Sequence, residues 1–369
     1  MKKIFALLTC FLLVLTGCDK KELIVDYSYE DNYSYKVEEP SNRISMITAG
    51  DVLIHNSVYE DARIDSWNYD FKPMMTSIKE YVKGYDLKYY NQETIIGGKN
   101  LGVSTYPCFN SPDEIADAML DMGFNVVSLA NNHTLDRGES AILYSTGQYW
   151  ASKDVMTAGS YDSFENRDKI QVKELNGIKY TLLSYTTNTN GLKTPAGKDY
   201  LVNRYDADKV REDIERVRPY TDVIMVAMHW GEEYTHTPVW EENNIAEYLA
   251  SLGVNVIIGC HPHVIQPVKF IGDTLVIYSL GNFISAQIGQ ERLVEAMVSY
   301  DFVKKDGTVK VENVKAHLIY NYYNNFRNYH VYPFTELNSN ILPNYQSVYE
   351  KYAGIIKMYD SNIEVVPIA

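Results

Sequence analysis

The chain has 369 residues, of which 46% are hydrophobic and 22% charged, so it can form a large folded core and is not an intrinsically disordered protein. Its 48 acidic residues outnumber the 34 lysines and arginines, which gives a formal net charge of -14. Because such a charge repels a phosphate backbone, we expect no nucleic-acid partner. Four cysteines are too few for a disulfide scaffold.

The first residues are typical of an export signal. Two lysines precede an apolar run over residues 4–15, which is too short to cross about 30 Å of hydrocarbon as a helix. The run ends in Leu-Thr-Gly before Cys18, which resembles a bacterial lipoprotein cleavage box, although an ordinary secretory signal also fits. We predict a signal peptide over residues 1–17 and a lipidated Cys18, which would anchor the protein to the cell membrane in an extracytoplasmic location.

The segment from Cys18 to residue 43 is polar and rich in tyrosine, and it has no long apolar periodicity, which predicts a flexible tether. No second apolar stretch of about 20 residues follows, so we expect a chain that is anchored to the membrane and does not span it. Cys108 and Cys260 would then be the remaining thiols, and their spacing does not decide whether they pair.

Strands and helices alternate in the next part of the chain. The predicted strands are 43–53, 87–96, 125–130, 170–172, 179–185, 222–228 and 254–258. The predicted helices are 71–81, 111–123, 139–153, 206–216 and 239–252. This alternation is typical of an α/β fold whose strands are buried on both faces. After residue 266 the pattern changes to strands at 274–279, 293–302 and 309–320, which predict antiparallel sheet.

Five polar clusters directly follow predicted strands, at the sheet edge where α/β proteins hold ligands. They are Gly50-Asp51 with His55, Asn91-Gln92-Glu93, Asn131-Asn132-His133, His229-Trp230-Gly231 and His261-Pro262-His263. A turn or a helix cap explains some of them singly. Together they offer carboxylates, an amide and imidazoles, which are ligands of divalent ions such as Zn, Mn or Fe. The sequence therefore predicts a metal site.

The order of these motifs resembles the CapA family of capsule-synthesis or poly-γ-glutamate-biosynthesis proteins, which are related to calcineurin-like metallophosphoesterases. The resemblance is carried by ISMITAGD (44–51), SLANNHTLD (128–136), AMHWGEEY (227–234), GCHPHVIQP (259–267) and SLGNF (279–283). It implies a four-layer α/β/β/α sandwich with the site between the edges of two central sheets. We expect this domain to cover residues 44–290 and residues 291–369 to form a β-rich, antiparallel C-terminal extension packed on it.

The resemblance also implies roles for individual residues. The candidate metal ligands are Asp51, Glu93, Asn132, His229, His261 and His263. His133 would act beside two divalent ions (Mn, Fe or Zn) as a general acid or as a transition-state hydrogen-bond donor, because histidine side chains titrate near neutrality. The candidate substrate-binding residues are Asn131, Arg137 and His55, and Asp136 is expected to orient a neighbour. This chain differs from the superfamily at two positions. Its early motif is Gly-Asp, where the superfamily commonly has Asp-x-His, and its second carboxylate is Glu93, where the superfamily commonly has Asp.

Two functions are consistent with these predicted roles. The first is a metal-dependent hydrolase that cleaves a phosphoester or an amide of an envelope polymer. The second is a non-catalytic accessory that binds, exports or helps to assemble an anionic capsule polymer together with capsule-synthesis membrane subunits. The chain has no Gly-x-Ser-x-Gly, phosphate-loop or His-Glu-x-x-His motif, so we do not expect an ATP-driven ligase activity in this chain.

Overall fold

A computed structural model describes residues 42–368. The predicted signal peptide, Cys18 and the tether as far as residue 41 lie outside the described residues. The strands are β1 (Arg43–Val52), β2 (Leu87–Asn91), β3 (Val126–Ser128), β4 (Met156–Ala158), β5 (Lys173–Leu175), β6 (Ile178–Thr186), β7 (Val223–His229), β8 (Val256–Cys260), β9 (Val268–Ile271), β10 (Thr274–Ile277), β11 (Asn282–Ile284), β12 (Val294–Lys305), β13 (Thr308–Asn324), β14 (Arg327–Pro333) and β15 (Glu364–Val365). The α-helices are α1 (Asn56–Asp61), α2 (Thr76–Tyr81), α3 (Asp113–Asp121), α4 (Gly138–Tyr144), α5 (Phe164–Asp168), α6 (Ala207–Val217), α7 (Trp240–Ser251) and α8 (Tyr345–Ile356).

The strands form two mixed sheets. In the first sheet the order is β14-β13-β12-β1-β2-β3-β4, with β11 paired to β1 and β15 paired to β13. Strands β1 to β4 run parallel, and β12, β13 and β14 continue the same sheet in antiparallel pairing from the other side of β1. The second sheet has the order β5-β6-β7-β8-β10-β9, with β6, β7, β8 and β10 parallel.

The two sheets pack face to face, because alternate residues of each strand point to opposite faces. In β3, Val126 belongs to the core between the sheets, while Val127 packs on the outer side with residues of α2 and α3. In β8, Val256 and Ile258 face that same central core, while Ile257 packs with residues of α6 and α7. Helices therefore cover both outer faces, and the predicted α/β/β/α sandwich with an antiparallel C-terminal extension is confirmed.

Several elements differ from the sequence-based prediction. The predicted helix 139–153 begins as α4 and then changes to a π-helical turn at Ser145–Tyr149 and a 3-10 turn at Trp150–Ser152. The C-terminal region contains α8, which was not predicted and which adds Tyr352 and two aliphatic side chains to the central core. Neither feature can be recognised from the local sequence, because both depend on packing against strands that are distant in the chain.

Cys108 is exposed and Cys260 is buried, and both are free thiols. None of the helices between residues 42 and 368 combines the length and the apolar character that a membrane-spanning helix needs.

A buried histidine in the antiparallel part of the first sheet gives a prediction for pH dependence. His317 contacts the Ser299 hydroxyl through Nε2 at 2.7 Å and the Tyr81 hydroxyl through Nδ1 at 2.9 Å. Burial, with a smaller contribution from the Lys315 charge, lowers the pKa of His317 from 6.5 to about 4. Since the folded protein favours the neutral ring, this residue's contribution to stability is complete above pH 6.5 and is lost as the pH falls towards 4.

We expect the free energy of unfolding to decrease between pH 6.5 and 4 by up to about 3 kcal/mol more in the parent than in a His317→Gln variant. Urea unfolding of both proteins across this range, with excess chelator to remove any metal contribution, measures the difference. Parallel pH curves for the two proteins would show that His317 is not the group responsible.

Candidate metal centre

The polar clusters predicted from the sequence meet at one place between the two sheets. The first sheet supplies Asp51 near the end of β1, the residues after β2 and the loop after β3, and the second sheet supplies the ends of β7 and β8. Because the carboxyl ends of neighbouring parallel strands lie at the same edge, residues far apart in sequence are brought together there. The six candidate ligands are all buried.

Asp51 is fixed by contacts from both sheets. Its Oδ1 accepts a hydrogen bond from Asn91 Nδ2 at 2.8 Å, and its Oδ2 accepts one from the backbone N–H of His261 at 3.2 Å. Oδ2 also lies 3.4 Å from His263 Nδ1. Asn91 in turn accepts a hydrogen bond from Ser128 Oγ on β3 at 2.8 Å. Asn91 thus holds Asp51 in place, a role that the sequence analysis did not assign to it.

The residue before Asp51 must be glycine. A Cβ atom at Gly50 would lie 1.9 Å from the backbone oxygen of Gly281, which itself accepts the N–H of Asp51 at 2.9 Å. We expect Gly50→Ala to lower the free energy of unfolding by about 2 to 3 kcal/mol, because neither backbone has room to move.

The matched control is Gly354→Ala in α8, where the added Cβ would meet no atom within 4 Å. It should stabilise the protein by about 0.5 to 1 kcal/mol, since alanine favours a helix interior. Denaturant unfolding distinguishes the two variants, and equal effects would contradict the close approach at Gly50.

Glu93 lies at the centre of the cluster. Its Oε1 is 3.8 Å from His229 Nε2 and 3.6 Å from His263 Nε2. Glu93, His261 and His263 each offer one ligand atom, and these three atoms lie within 4.8 Å of one another. His229 Nε2 is also 3.0 Å from Asn132 Oδ1, which joins the loop after β3 to this group.

The histidines after β8 are held in an uncommon backbone conformation. His261 has φ = 102° and His263 has φ = 55°, positive values that residues other than glycine seldom adopt. The intervening Pro262 accepts a hydrogen bond from the backbone N–H of Tyr234 at 2.8 Å, which links this turn to the loop after β7. Such strain persists where the surrounding structure imposes it, and it is frequent at functional sites.

The electrostatics of the cluster disfavour its charged forms in the absence of a cation. Burial, together with the charges of Asp51 and Glu233, raises the pKa of the Glu93 carboxyl well above its ordinary value. Burial and the neighbouring imidazoles lower the pKa of His229 well below its ordinary value, and burial lowers that of His261 to about 4. His229 and His261 are therefore neutral at pH 7, which is the state that binds metals.

The residues present fit a divalent cation. Both carboxylate oxygens of Glu93 and the Nδ1 atoms of His261 and His263 are buried without a hydrogen-bond partner. Buried polar atoms are nearly always paired, so four atoms without a hydrogen-bond partner in one cluster favour a bound ion. Carboxylate oxygens and neutral imidazoles are ligands of Zn, Mn and Fe. The structure thus contains a Glu/His group that can hold a metal ion.

His133 stands beside this group and is oriented by a carboxylate. Its Nδ1 lies 2.8 Å from Asp136 Oδ2, and the same oxygen accepts the backbone N–H of Phe109 at 2.7 Å. The Phe109 ring packs edge-on against His133 with a centroid distance of 4.7 Å. Asp136 therefore orients a neighbour, and the ring has a fixed position with Nε2 left for other partners.

An open cleft of about 610 Å³ lies over the cluster. Asn132, His133 and His263 reach its surface, while His261 and Glu93 do not line it. His55 also lines the cleft, where burial lowers its pKa to about 4 and its Nδ1 contacts the backbone oxygen of Leu53 at 3.2 Å.

The structure does not bring Asn131 and Arg137 to the cleft. The Asn131 side chain donates to the backbone oxygen of Gln92 at 2.9 Å and accepts the N–H of His133 at 3.0 Å. Arg137 donates to the backbone oxygen of Leu101 at 2.9 Å and to the hydroxyl of Ser104. Both residues fix loops around the site. The cleft instead contains Tyr234, which ends the motif at 227–234 but had no predicted role, and residues 106–109, which come from a loop without a motif.

Comparison with known proteins supports this description. Residues 45–287 match the family model described as bacterial capsule synthesis protein PGA_cap. The chain is 28% identical over 207 residues to the PGA biosynthesis protein CapA of Bacillus subtilis (strain 168), an alignment that covers 54% of this chain and 52% of that protein. It is 23% identical over 334 residues to the capsule biosynthesis protein CapA of Bacillus anthracis, covering 85% of this chain and 75% of that protein. The chain thus spans about half the length of the first relative and three quarters of the second.

Among solved structures, the calcineurin-like phosphoesterase YfkN from Bacillus subtilis is similar at 16% identity with a TM-score of 0.46, covering 75% of this chain and 90% of that one.

Proposed function

The chain belongs to the family of bacterial capsule synthesis proteins, and from this premise we propose that it is a divalent-metal-dependent hydrolase that acts on a polymer of the cell envelope. The observation that carries the proposal is the group of Glu93, His261 and His263, whose unpartnered buried atoms lie beneath an open cleft. Carboxylate oxygens and imidazole nitrogens without partners, gathered in one buried cluster, are the donor set that a divalent ion takes.

Glu93, His261 and His263 would hold the cation, with Asp51, Asn132 and His229 adjoining as the further ligands of a two-ion site of Mn, Fe or Zn. A divalent ion bound there would act as a Lewis acid towards a phosphoryl or acyl group. Asp51 and Asn91 keep the carboxylate side of the site rigid through their 2.8 Å hydrogen bond. Such preorganisation is what a catalytic site requires of its supporting residues.

His133 is the candidate general acid. With Nδ1 engaged by Asp136 at 2.8 Å, the ring presents Nε2, which has no hydrogen-bond partner among the described residues. From the wall of the cleft this nitrogen would donate a proton to the leaving group of the substrate, and Asp136 would stabilise the charged ring. The protonated Nε2 is suited to either an alcohol or an amine leaving group.

The second candidate function is a non-catalytic accessory for an anionic capsule polymer, and the names of the relatives, which refer to biosynthesis, favour it. Lipid anchoring through Cys18, an extracytoplasmic location and membrane-subunit partners stay predictions common to both functions.

Chelation and reconstitution distinguish the two functions. The full chain is stripped with chelator, loaded with Mn, Fe or Zn, and assayed on a phosphomonoester, a phosphodiester and a γ-glutamyl amide. We expect turnover of one class to appear only after loading. Metal binding without turnover of any of them, together with retention of an anionic polymer, would favour the accessory function.

A further inference from the structure

Resting on the proposed function, we propose that Tyr234 is a further substrate-binding residue, whose phenolic hydroxyl donates a hydrogen bond to an oxygen of the phosphoryl or acyl group that reacts above the Glu/His group. Tyr234 lines the cleft, but the sequence alone predicts no role for it. The proposal adds a neutral hydrogen-bond donor of the protein to the positive charge that a bound cation would supply at the same oxygen.

The backbone of Tyr234 is held in a conformation that is rare for an aromatic residue. Its φ is 66°, in the left-handed region where a Cβ atom is crowded, and its N–H donates to the backbone oxygen of Pro262 at 2.8 Å. Pro262 lies between His261 and His263, so this hydrogen bond fixes Tyr234 directly on the turn that carries two candidate ligands. Residues in such strained conformations are concentrated at active sites, where the surrounding structure imposes them.

The ring of Tyr234 is fixed beside a candidate ligand. Its centroid lies 6.2 Å from that of His263, and the Arg292 guanidinium lies over the ring, 4.0 Å from the centroid. Although the ring is packed in this way, 43% of the residue is exposed, and it forms part of the cleft wall. A fixed ring with an accessible hydroxyl is suited to contact a substrate whose reacting group lies at His263.

A chain of side-chain amides leaves the hydrogen of the Tyr234 hydroxyl free to be donated. Asn282, which pairs with Asp51 where β11 meets β1, donates through Nδ2 to Gln287 Oε1 at 3.1 Å. Gln287 Nε2 in turn donates to the Tyr234 hydroxyl oxygen at 3.4 Å. Both ends of the Gln287 amide are therefore engaged, and its orientation is fixed. Because the hydroxyl accepts this hydrogen bond, and because a phenol is protonated at neutral pH, its own hydrogen is available to another acceptor.

Glu233 is the acceptor that a substrate would replace. Its carboxylate adjoins the Tyr234 hydroxyl and also lines the cleft. Since Glu233 is exposed, water can take the place of Tyr234 as its partner at little cost. The substrate oxygen, in contrast, would be held in one position by the cation and would gain negative charge during the reaction. A hydrogen-bond donor that is already in place stabilises such charge most effectively.

Tyr234→Phe tests the proposal, because it removes the hydroxyl and keeps the ring beneath Arg292. On the substrate class that the metal-loaded full chain turns over, we expect kcat to decrease about 10- to 100-fold, with KM changed less than about threefold and metal content unchanged. Tyr359→Phe is the matched control, because Tyr359 is 41% exposed, has Lys269 Nζ 5.3 Å from its ring centroid and does not line the cleft. Turnover by Tyr234→Phe at the parent's rate, or equal losses in the two variants, would overturn the proposal.

Binding of inorganic phosphate separates this inference from the proposed hydrolase. Calorimetric titration of phosphate into the metal-loaded parent, Tyr234→Phe and Tyr359→Phe requires no turnover. We expect Tyr234→Phe alone to bind phosphate about tenfold more weakly, since a hydrogen bond to a charged group is lost. If the parent turns over no substrate, the hydrolase fails and this titration decides on Tyr234. Weaker binding by Tyr234→Phe alone then supports its role, whereas equal binding by the three proteins, or no binding, overturns it.

Discussion

Replacing Glu93 with glutamine is expected to abolish metal binding while leaving the metal-free fold intact or more stable. The amide has nearly the same shape, so packing is preserved, but a ligand with two buried, unpartnered oxygens loses its charge. Since burial raises the pKa of the Glu93 carboxyl well above its ordinary value, the carboxylate is costly without a cation, and its removal should stabilise the metal-free protein by about 1 to 2 kcal/mol.

Thermal unfolding with chelator and with excess Mn or Zn measures both effects. A metal at 100 times its dissociation constant stabilises the native state by about 2.7 kcal/mol. We expect metal to increase the stability of the parent by this amount and to leave the stability of Glu93→Gln unchanged. Elemental analysis of the variant should show less than about a tenth of the parent's metal.

Glu295→Gln is the matched control for Glu93→Gln. Glu295 is also fully buried, has an unpartnered Oε2 and has a pKa raised well above its ordinary value by burial, but it does not belong to the Glu/His group. It should keep the metal-dependent stabilisation. A loss of this stabilisation in both variants, or in neither, would show that the effect does not depend on Glu93 as a ligand.

Replacing His133 with asparagine is expected to lower turnover by about 10²- to 10⁴-fold without loss of metal, because a general acid contributes an effect of this size. His133 contacts Asp136 and Phe109 and belongs to the cleft wall, so its removal leaves Glu93, His261 and His263 in place. Steady-state kinetics on whichever substrate class is turned over, with metal content measured on the same preparations, tests this separation.

Two further variants make the His133 result specific. Asp136→Asn keeps the imidazole but replaces its carboxylate partner, so we expect a loss no larger than that of His133→Asn and a displaced pH profile. His330→Asn removes an imidazole on β14 that contacts Ser77 at 3.2 Å, and it should leave turnover within about twofold. Turnover by His133→Asn at the parent's rate would exclude His133 as the general acid.

The sequence was sufficient to predict the fold class and the sheet edge at which the polar clusters meet. Buried strands alternating with helices predict an α/β sandwich, and polar clusters after those strands predict the edge at which they meet. Asp51, Glu93, Asn132, His229, His261 and His263 do lie at that edge, in contact across the two sheets. This part could be predicted because strand ends are local features with a fixed relation to the sheet.

Contacts between distant segments could not be predicted. Asn91 is 40 residues from Asp51, and its hydrogen bond depends on the register of β1 against β2. Arg137 follows a recognisable motif, yet it binds the backbone oxygen of Leu101 and does not line the cleft. Tyr234 and Tyr106 come from loops with no periodicity, and their shared position is determined by the tertiary fold.

Elemental analysis of the full chain, purified without chelator, shows whether the Glu/His group binds metal. The parent is compared with a His261→Ala, His263→Ala double variant whose fold is verified by circular dichroism. We predict about two Mn, Fe or Zn ions per chain in the parent, as a two-metal site requires, and a clear loss in the variant. No bound metal in the parent after incubation with each ion, or equal metal in both proteins, would contradict the account.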